Sequence, residues 1–201
     1  DTDTGNEEWS FRNTTWPVHQ ASVVNGTTYV SSDELYAVDA DTGNEKWSFE
    51  VGSRVKPKAV EANGTVFFGA SEGSYDGSFY AVDADTGNEK WSFDTSLEDE
   101  VYWGSMVVGG TVFFGDKWYD GGKLYALDVS TGNEEWSFGT EGGVDSSVVV
   151  DNGTVYFADG EGPDYGSIIA VDASTGNEEW SFRVNGGAST PAVLNDTVYF
   201  T

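Results

Sequence analysis

The chain has no cysteine, one histidine and very few basic residues. Its 201 residues include 9 Lys and Arg against 35 Asp and Glu, which gives a formal net charge of -26. Without cysteine there can be no disulfide, thiolate zinc site or thiol nucleophile, and His19 alone offers no transition-metal cluster. Nucleic-acid phosphates are neutralised by clustered Lys and Arg, so we expect no nucleic-acid partner. No run approaches the roughly 18 apolar residues of a membrane span, so we expect none in this chain.

The excess of acidic residues indicates a protein adapted to high salt. Such a chain repels itself at low ionic strength, whereas multimolar salt screens the repulsion and hydrated carboxylates keep the surface soluble. An ordinary acidic secreted domain is the alternative. A disordered acidic tail is excluded, because 38% hydrophobic and 15% aromatic residues suffice to build a core.

An octapeptide, Thr-Gly-Asn-Glu-(Glu or Lys)-Trp-Ser-Phe, occurs five times along the chain. The copies begin at Thr4, Thr42, Thr86, Thr131 and Thr175. Their tryptophans are 38, 44, 45 and 44 residues apart, which suits a unit of four short strands. A second element, Val-x-Asn-Gly-Thr-x-(Tyr or Phe), precedes most copies, with degenerate forms near the third and last units.

Each unit is predicted to be a four-stranded antiparallel sheet, with strands A to D. Asn-Gly between two apolar runs indicates a type I′ hairpin turn between strands A and B. Asp-x-x-Thr-Gly forms the turn between strands C and D. In the second unit the strands are expected near 59–62, 66–69, 79–83 and 90–93. No segment has a helical period, so the fold is predicted to be all-β, and the repeat length is typical of a β-propeller blade.

The repeats resemble the PQQ-like β-propeller family, of a halophilic archaeal type, in the pattern Ala-x-Asp-x-x-Thr-Gly-x-Glu-x-Trp. In that family the pattern is called the tryptophan-docking motif, and the resemblance implies that each Trp stacks against the next blade. The docking residues are then Trp9, Trp47, Trp91, Trp136, Trp180, Gly43, Gly87, Gly132 and Gly176. The chain is expected to form one domain of about four complete blades and a split, incomplete fifth. The repeats are approximately 12–49, 50–93, 94–138 and 139–182, with a partial blade of 1–11 plus 183–201.

The partial blade has two interpretations. The chain is either a fragment of a longer propeller, whose exposed edges permit self-association, or a five-bladed ring closed by pairing its termini.

The resemblance covers both enzymes and binding proteins. The quinoprotein dehydrogenases resembled use an Asp base, a calcium ion and a Trp floor under the quinone, often with vicinal cysteines. Here there is no cysteine and no assignable constellation, so we expect no catalytic residue, no cofactor-binding residue, no metal ligand and no bound PQQ. We interpret the chain as a non-catalytic, extracellular or cell-surface scaffold for protein contacts. A fragment of a PQQ-dependent dehydrogenase and a carbohydrate-binding surface propeller are the alternatives.

One face of the disc is predicted to carry the binding site. The A–B and C–D turns repeat almost unchanged, whereas the B–C and D–A loops vary in length and content and collect most of the cations. The candidate binding residues on these loops are Trp16, His19, Arg54, Lys56, Lys58, Tyr75, Trp103, Trp118, Tyr119 and Tyr165. They suit a protein partner or a surface glycan. Alternatively, the aromatics cap the core and the cations balance nearby carboxylates.

Two further motifs leave alternatives open. Asp39-x-Asp41-x-Gly43 and Asp83-x-Asp85-x-Gly87 resemble the start of a calcium loop, although turns stabilised by Asp side chains explain all copies of the motif. Five Asn-x-Thr sequons suit a glycosylated surface protein, but three of them are also the Asn-Gly-Thr hairpin turns.

Overall fold

The computed structural model describes residues 3–52, 54–55, 58–72, 76–97, 101, 104–117, 121–144, 146–160 and 165–201. Every helix or strand assigned within these residues is a β-strand, which confirms the all-β prediction. This part of the chain contains no helix with the length and hydrophobicity of a membrane span.

The strands form four antiparallel sheets in chain order, followed by a hairpin. Sheet 1 contains β1 (Gln20–Val24), β2 (Thr27–Ser31), β3 (Glu34–Asp39) and β4 (Glu45–Glu50). Sheet 2 contains β5 (Arg54–Val55), β6 (Val60–Ala62), β7 (Thr65–Glu72), β8 (Asp76–Asp83) and β9 (Glu89–Leu97). Sheet 3 contains β10 (Met106–Val108), β11 (Thr111–Gly115), β12 (Gly122–Asp128) and β13 (Glu134–Thr140). Sheet 4 contains β14 (Val149–Asp151), β15 (Thr154–Gly160), β16 (Tyr165–Asp172) and β17 (Glu178–Asn185), and the hairpin pairs β18 (Ala192–Leu194) with β19 (Thr197–Tyr199).

The A–B turns have the backbone that their sequences predict. Asn25, Asn63 and Asn152 have φ of 49°, 52° and 48°, and each is followed by a glycine that also has positive φ. Sheet 3 uses Gly109–Gly110 at this turn, and the last hairpin uses Asn195–Asp196 with φ of 50° and 57°. Positive φ at both central residues gives the type I′ turn, whose twist matches that of the paired strands.

Some predicted boundaries are wrong. Strands B and C of the second unit are predicted near 66–69 and 79–83, but β7 and β8 stay paired as far as Glu72 and Asp76. Pairing continues because it satisfies backbone groups that a loop would leave to water. The D–A connection before this sheet holds the short strand β5, which pairs with the end of β7. Residues 3–11, which were expected to contribute to the partial fifth blade, form no strand.

The core lies between neighbouring sheets. Buried residues of sheets 1 and 2, of sheets 2 and 3, and of sheets 3 and 4 form three successive clusters. Between sheets 2 and 3, for example, the rings of Phe79 and Phe114 stack with centroids 3.9 Å apart and planes within 2°. Each inner sheet therefore buries both of its faces, which leaves the turns and loops at the strand ends to meet solvent.

Candidate functional site

At one end of the sheets, the Asp-x-x-Thr-Gly turns are held by hydrogen bonds within the turn. Asp128 Oδ1 accepts from the backbone N–H and hydroxyl groups of both Ser130 and Thr131, at 2.6 to 3.0 Å. These bonds, from Ser130 first and then Thr131, lower the pKa of Asp128. Asp39, Asp83 and Asp172 make equivalent bonds to their own turns.

In two of these turns, the other carboxylate oxygen of the aspartate faces a lysine. Lys46 Nζ lies 3.6 Å from Asp39 Oδ2, and Lys90 Nζ lies 3.4 Å from Asp83 Oδ2. In the part of the chain that is described, no three His, Asp or Glu side chains converge as a metal site would require. The geometry supports the interpretation of these motifs as structural turns.

The tryptophans of the repeated motif join neighbouring sheets. Trp47 of sheet 1 donates its indole N–H to the Ala84 carbonyl oxygen of sheet 2 at 2.9 Å. A Cβ added to Gly87 would lie 2.8 Å from the same indole ring, so only glycine permits this close approach. Trp9, Trp91 and Trp136 make the same two contacts at Gly43, Gly132 and Gly176.

Trp180 has a different environment from the other four. Its side chain is 39% exposed, whereas Trp47 is 8% exposed. No Thr-Gly turn of the described residues lies against it, because the contacts found at each such glycine are to other tryptophans or to nothing. The docking role that the motif assigns to Trp180 is therefore not performed within the described part of the chain.

At the opposite end of the sheets, Trp16 and Arg54 come together from two different D–A connections. Trp16 is 50% exposed, and the guanidinium carbon of Arg54 lies 4.1 Å from the centroid of its ring. This is a cation–π contact, in which the positive charge faces the electron-rich ring. It gives Trp16 a fixed neighbour while half of its surface remains available to a partner.

Ser32 holds these two connections together. This residue is fully buried, and its hydroxyl donates to the Trp16 carbonyl oxygen at 2.8 Å. Its own carbonyl oxygen accepts the N–H of Val55, the neighbour of Arg54, at 2.9 Å. Sequence reasoning missed Ser32, and its only sequence signal is its position directly after strand β2.

Asp33 fixes the chain just before Trp16. Its Oδ2 accepts from the backbone N–H of Thr15 at 3.1 Å and also from the Thr15 hydroxyl, while Oδ1 accepts from the Tyr36 hydroxyl at 3.2 Å. Partial burial raises the pKa of Asp33, but these hydrogen bonds outweigh it, so the pKa lies below its ordinary value. The carboxylate is therefore ionised at neutral pH and holds the connection in place.

A second aromatic and cationic pair lies at the same end of sheet 4. Tyr165 begins β16 and is 48% exposed, and Arg183 of β17 has its guanidinium carbon 5.0 Å from the tyrosine ring. The two residues belong to paired strands rather than to loops. The pair shows that strand ends contribute to this face together with the variable loops.

The other predicted binding residues are placed less specifically. His19 and Lys58 are exposed, and the backbone N–H of His19 donates to the Ser31 carbonyl oxygen at 2.9 Å. Lys56, Tyr75, Trp103, Trp118 and Tyr119 lie outside the described residues. Of the candidate set, the structure brings Trp16 into contact with Arg54.

Comparison with known proteins identifies the repeat. The sequence model of one family, the PQQ-like repeat family described as outer membrane protein assembly factor BamB, matches residues 1–139 and 121–201. No curated protein matches the chain significantly.

Three solved structures illustrate the likeness of fold. Quinohemoprotein alcohol dehydrogenase from Comamonas testosteroni has 21% identity and a TM-score of 0.76, over 96% of this chain and 40% of that one. A quinohemoprotein alcohol dehydrogenase from Pseudomonas putida has 19% identity and a TM-score of 0.75, over 94% and 39%. BamB from Moraxella catarrhalis has 17% identity and a TM-score of 0.62, over 94% and 81%.

The chain spans about two fifths of the length of the two dehydrogenases. At these identities the likeness concerns the fold alone. The family match extends over both halves of the sequence. The antiparallel sheets that these tryptophans join are thus propeller blades. The chain belongs to the PQQ-like β-propeller repeat family.

Proposed function

We propose that the chain is a non-catalytic propeller scaffold that binds a protein partner through the Trp16 surface, defined as Trp16, Arg54 and the exposed residues His19 and Lys58. The observation that supports this most directly is the half-exposed Trp16 ring with Arg54 against it. Trp and Arg are among the side chains that contribute most to protein interfaces. The family description, an outer membrane protein assembly factor, is consistent with a role in protein contacts.

The Trp16 surface is preorganised, which favours binding. Ser32 and Asp33 fix the chain on either side of it through hydrogen bonds to Trp16 and Thr15. A partner would therefore not have to order these residues, and the entropy lost on binding is correspondingly smaller. This distinguishes the surface from a scatter of exposed aromatic side chains.

The charge of the Trp16 surface favours an acidic partner. Arg54 and Lys58 belong to the same D–A connection, on a chain whose net charge is -26. A partner of acidic character is attracted to this region and repelled elsewhere, so electrostatics would orient it toward Trp16. We further propose that the chain works outside the cell or at its surface in a salt-rich medium, where the remaining repulsion is screened.

The competing function is a PQQ-dependent dehydrogenase of which this chain is a part. The two buried carboxylates near the variable loops, those of Asp116 and Asp159, already accept backbone N–H groups, which favours the non-catalytic function. Asp116 Oδ1 accepts the backbone N–H of Lys123, and Asp159 Oδ1 accepts that of Gly142 at 3.0 Å. Both side chains thus brace the backbone of their loops. Titration of PQQ with calcium, followed by quinone absorbance, tests the alternative directly.

A site-specific photo-crosslinker tests the proposed surface. It replaces Trp16 in one sample and Val23 in the control, since Val23 is 67% exposed but lies on β1 away from the Trp16 surface. We expect a discrete crosslinked protein from an extract of the source organism at position 16 only. The purified partner should then bind the Trp16→Ala variant about tenfold to a hundredfold more weakly than the wild type. Equal crosslinking at both positions, or displacement of the partner by soluble polysaccharide, would contradict the proposal.

A further inference from the structure

A pair of aromatic side chains recurs where one blade meets the next. The phenylalanine of a Trp-Ser-Phe motif packs against a tyrosine on strand C of the sheet that follows it. The ring centroids are 5.3 to 5.4 Å apart in three such pairs, Phe11–Tyr36, Phe49–Tyr80 and Phe93–Tyr125. All three tyrosines are buried. A phenol ring is therefore a regular part of the contact between blades.

Sheet 4 lacks this tyrosine. In each of the other sheets the tyrosine directly precedes the alanine that pairs with the motif tryptophan. In sheet 4 that alanine is Ala170, and the residue before it is Ile169. The phenylalanine of the pair is present, because Phe138 packs 6.1 Å from Phe157 in the same way as Phe93 packs 6.2 Å from Phe114. The contact between sheets 3 and 4 thus keeps one ring of the pair and lacks the other.

A pocket lies at this place in the structure. Its volume is about 430 Å³, and its lining includes Phe138 and Thr140 of β13 together with Ile169 and Ser181 of sheet 4. An isoleucine side chain has no ring and ends short of the position that a tyrosine hydroxyl reaches. The space that a phenol fills in the other blade contacts is therefore open between sheets 3 and 4.

Thr140 supplies a polar group in the wall of this pocket. In the first pair, the Tyr36 hydroxyl donates to the carbonyl oxygen of Asn13, which follows Phe11 by two residues. Thr140 follows Phe138 by two residues, so both side chains lie on the same face of β13. Thr140 Oγ1 is buried, and it has no hydrogen-bond partner among the residues that the structure describes. A buried hydroxyl without a partner is costly, so a ligand that bonds to it gains affinity.

The charges around the pocket restrict the ligand further. Its lining includes the acidic residues Glu141, Asp159 and Glu178 and the basic residue Arg183. The excess of negative charge attracts cations and repels anions. A neutral or cationic substituent on the ligand is therefore favoured over an anionic one.

We propose that the pocket between sheets 3 and 4 binds a small molecule that carries a phenol ring and a neutral or cationic substituent. The ring takes the place beside Phe138 that a tyrosine ring takes in the other blade contacts, and its hydroxyl bonds to Thr140. Burial of the ring and its contact with Phe138 favour binding. A ligand of one ring gains little affinity in total, so we expect a dissociation constant of about 0.1 to 5 mM for phenol itself. This pocket is separate from the Trp16 surface, and the proposal does not depend on it.

An NMR titration of the backbone amides of the 201-residue chain, at one fixed KCl concentration, tests the proposal. Phenol should cause saturable shifts at Gly139, Thr140 and Ser181. Cyclohexanol has a hydroxyl but no aromatic ring, so it should bind severalfold more weakly. Tyramine should bind more tightly than 4-hydroxyphenylacetate, since the two carry opposite charges on similar skeletons. The reverse order would contradict the proposed charge preference.

Two variants locate the bound ring. Ile169→Tyr fills the pocket from within the chain, so it should abolish the phenol shifts and raise the urea midpoint. Val23→Tyr is the matched control, because it adds a tyrosine at a 67% exposed position on β1 and should bind phenol like the wild type. Thr140→Val removes the hydroxyl at nearly constant shape. It should weaken phenol about threefold to tenfold and leave the binding of benzene unchanged.

Three results would overturn the proposal. The first is a wild type without saturable shifts up to about 20 mM phenol, well above the expected dissociation constant. The second is a folded Ile169→Tyr variant that binds phenol like the wild type. The third is a Thr140→Val variant in which phenol and benzene change equally, and this comparison is independent of whether the tyrosine variant folds.

Discussion

Replacing Gly87 by alanine is the most direct test of the tryptophan junction. The backbone at Gly87 has a φ of +71°, where a Cβ costs about 1 kcal/mol for the left-handed conformation. The new Cβ would also lie 2.8 Å from the Trp47 ring. That ring cannot retreat easily, because it is buried and its N–H is bound to the Ala84 carbonyl oxygen. Such overpacking adds about 1 to 3 kcal/mol, so we expect a total loss of about 2 to 4 kcal/mol.

Gly64→Ala is the matched control for this substitution. Gly64 lies in the same sheet and has a φ of +72°, but a Cβ there would meet nothing within 4 Å. It should cost only the conformational part, about 1 kcal/mol. Urea unfolding at fixed KCl, followed by tryptophan fluorescence, gives both values. If the two variants lose the same stability, the ring is not held tightly against the turn and the reasoning fails.

Four further predictions follow from the same contacts. Trp91→Ala should lower the free energy of unfolding in urea by about 3 to 5 kcal/mol, because Trp91 is buried. Trp180→Ala should lower it clearly less, because Trp180 is 39% exposed. Lys90→Glu should lower the urea midpoint at low salt by placing a negative charge beside Asp83, and the difference should shrink as KCl is added. Asp128→Asn should lower the melting temperature at neutral pH, because the ionised carboxylate holds the turn and its pKa in the folded protein is lowered. The difference in melting temperature between variant and wild type should fade as the pH drops below about 4, where the wild-type carboxylate becomes protonated. Thermal unfolding measured across this pH range checks both statements. The wild-type melting temperature should rise between about 0.1 and about 3 M KCl, and a constant value would contradict the proposed adaptation to salt.

The sequence was sufficient to predict the repeated parts of the fold. Asn-Gly pairs and the Asp-x-x-Thr-Gly motif mark turns whose backbone is set by local chemistry, and the structure has positive φ at both Asn63 and Gly64. Strand lengths were harder to predict, because pairing at the far ends of β7 and β8 depends on the neighbouring strand rather than on composition. The short strand β5 was missed for the same reason.

The candidate site was predictable only in part. Trp16 and Arg54 were found because aromatic and basic residues interrupt an acidic, repetitive sequence. The link that Ser32 makes between their connections was not, since the equivalent positions are Ala70 in sheet 2, Asp116 in sheet 3 and Asp159 in sheet 4, so the serine does not recur. Trp180 has the same local sequence as a docked tryptophan, and only the absence of a turn beside it in the described residues distinguishes it.

The indole hydrogen bonds make each junction separately observable. The four docked N–H groups belong to different tryptophans, and each donates to the following blade within 3.0 Å. In an array of repeats, each unit is stabilised mainly by its neighbours, so opening can begin at one junction and spread to the next. Indole protons would exchange with solvent in the order in which their junctions open. The exchange rates of the four indole protons would therefore report the order in which the blades separate during unfolding.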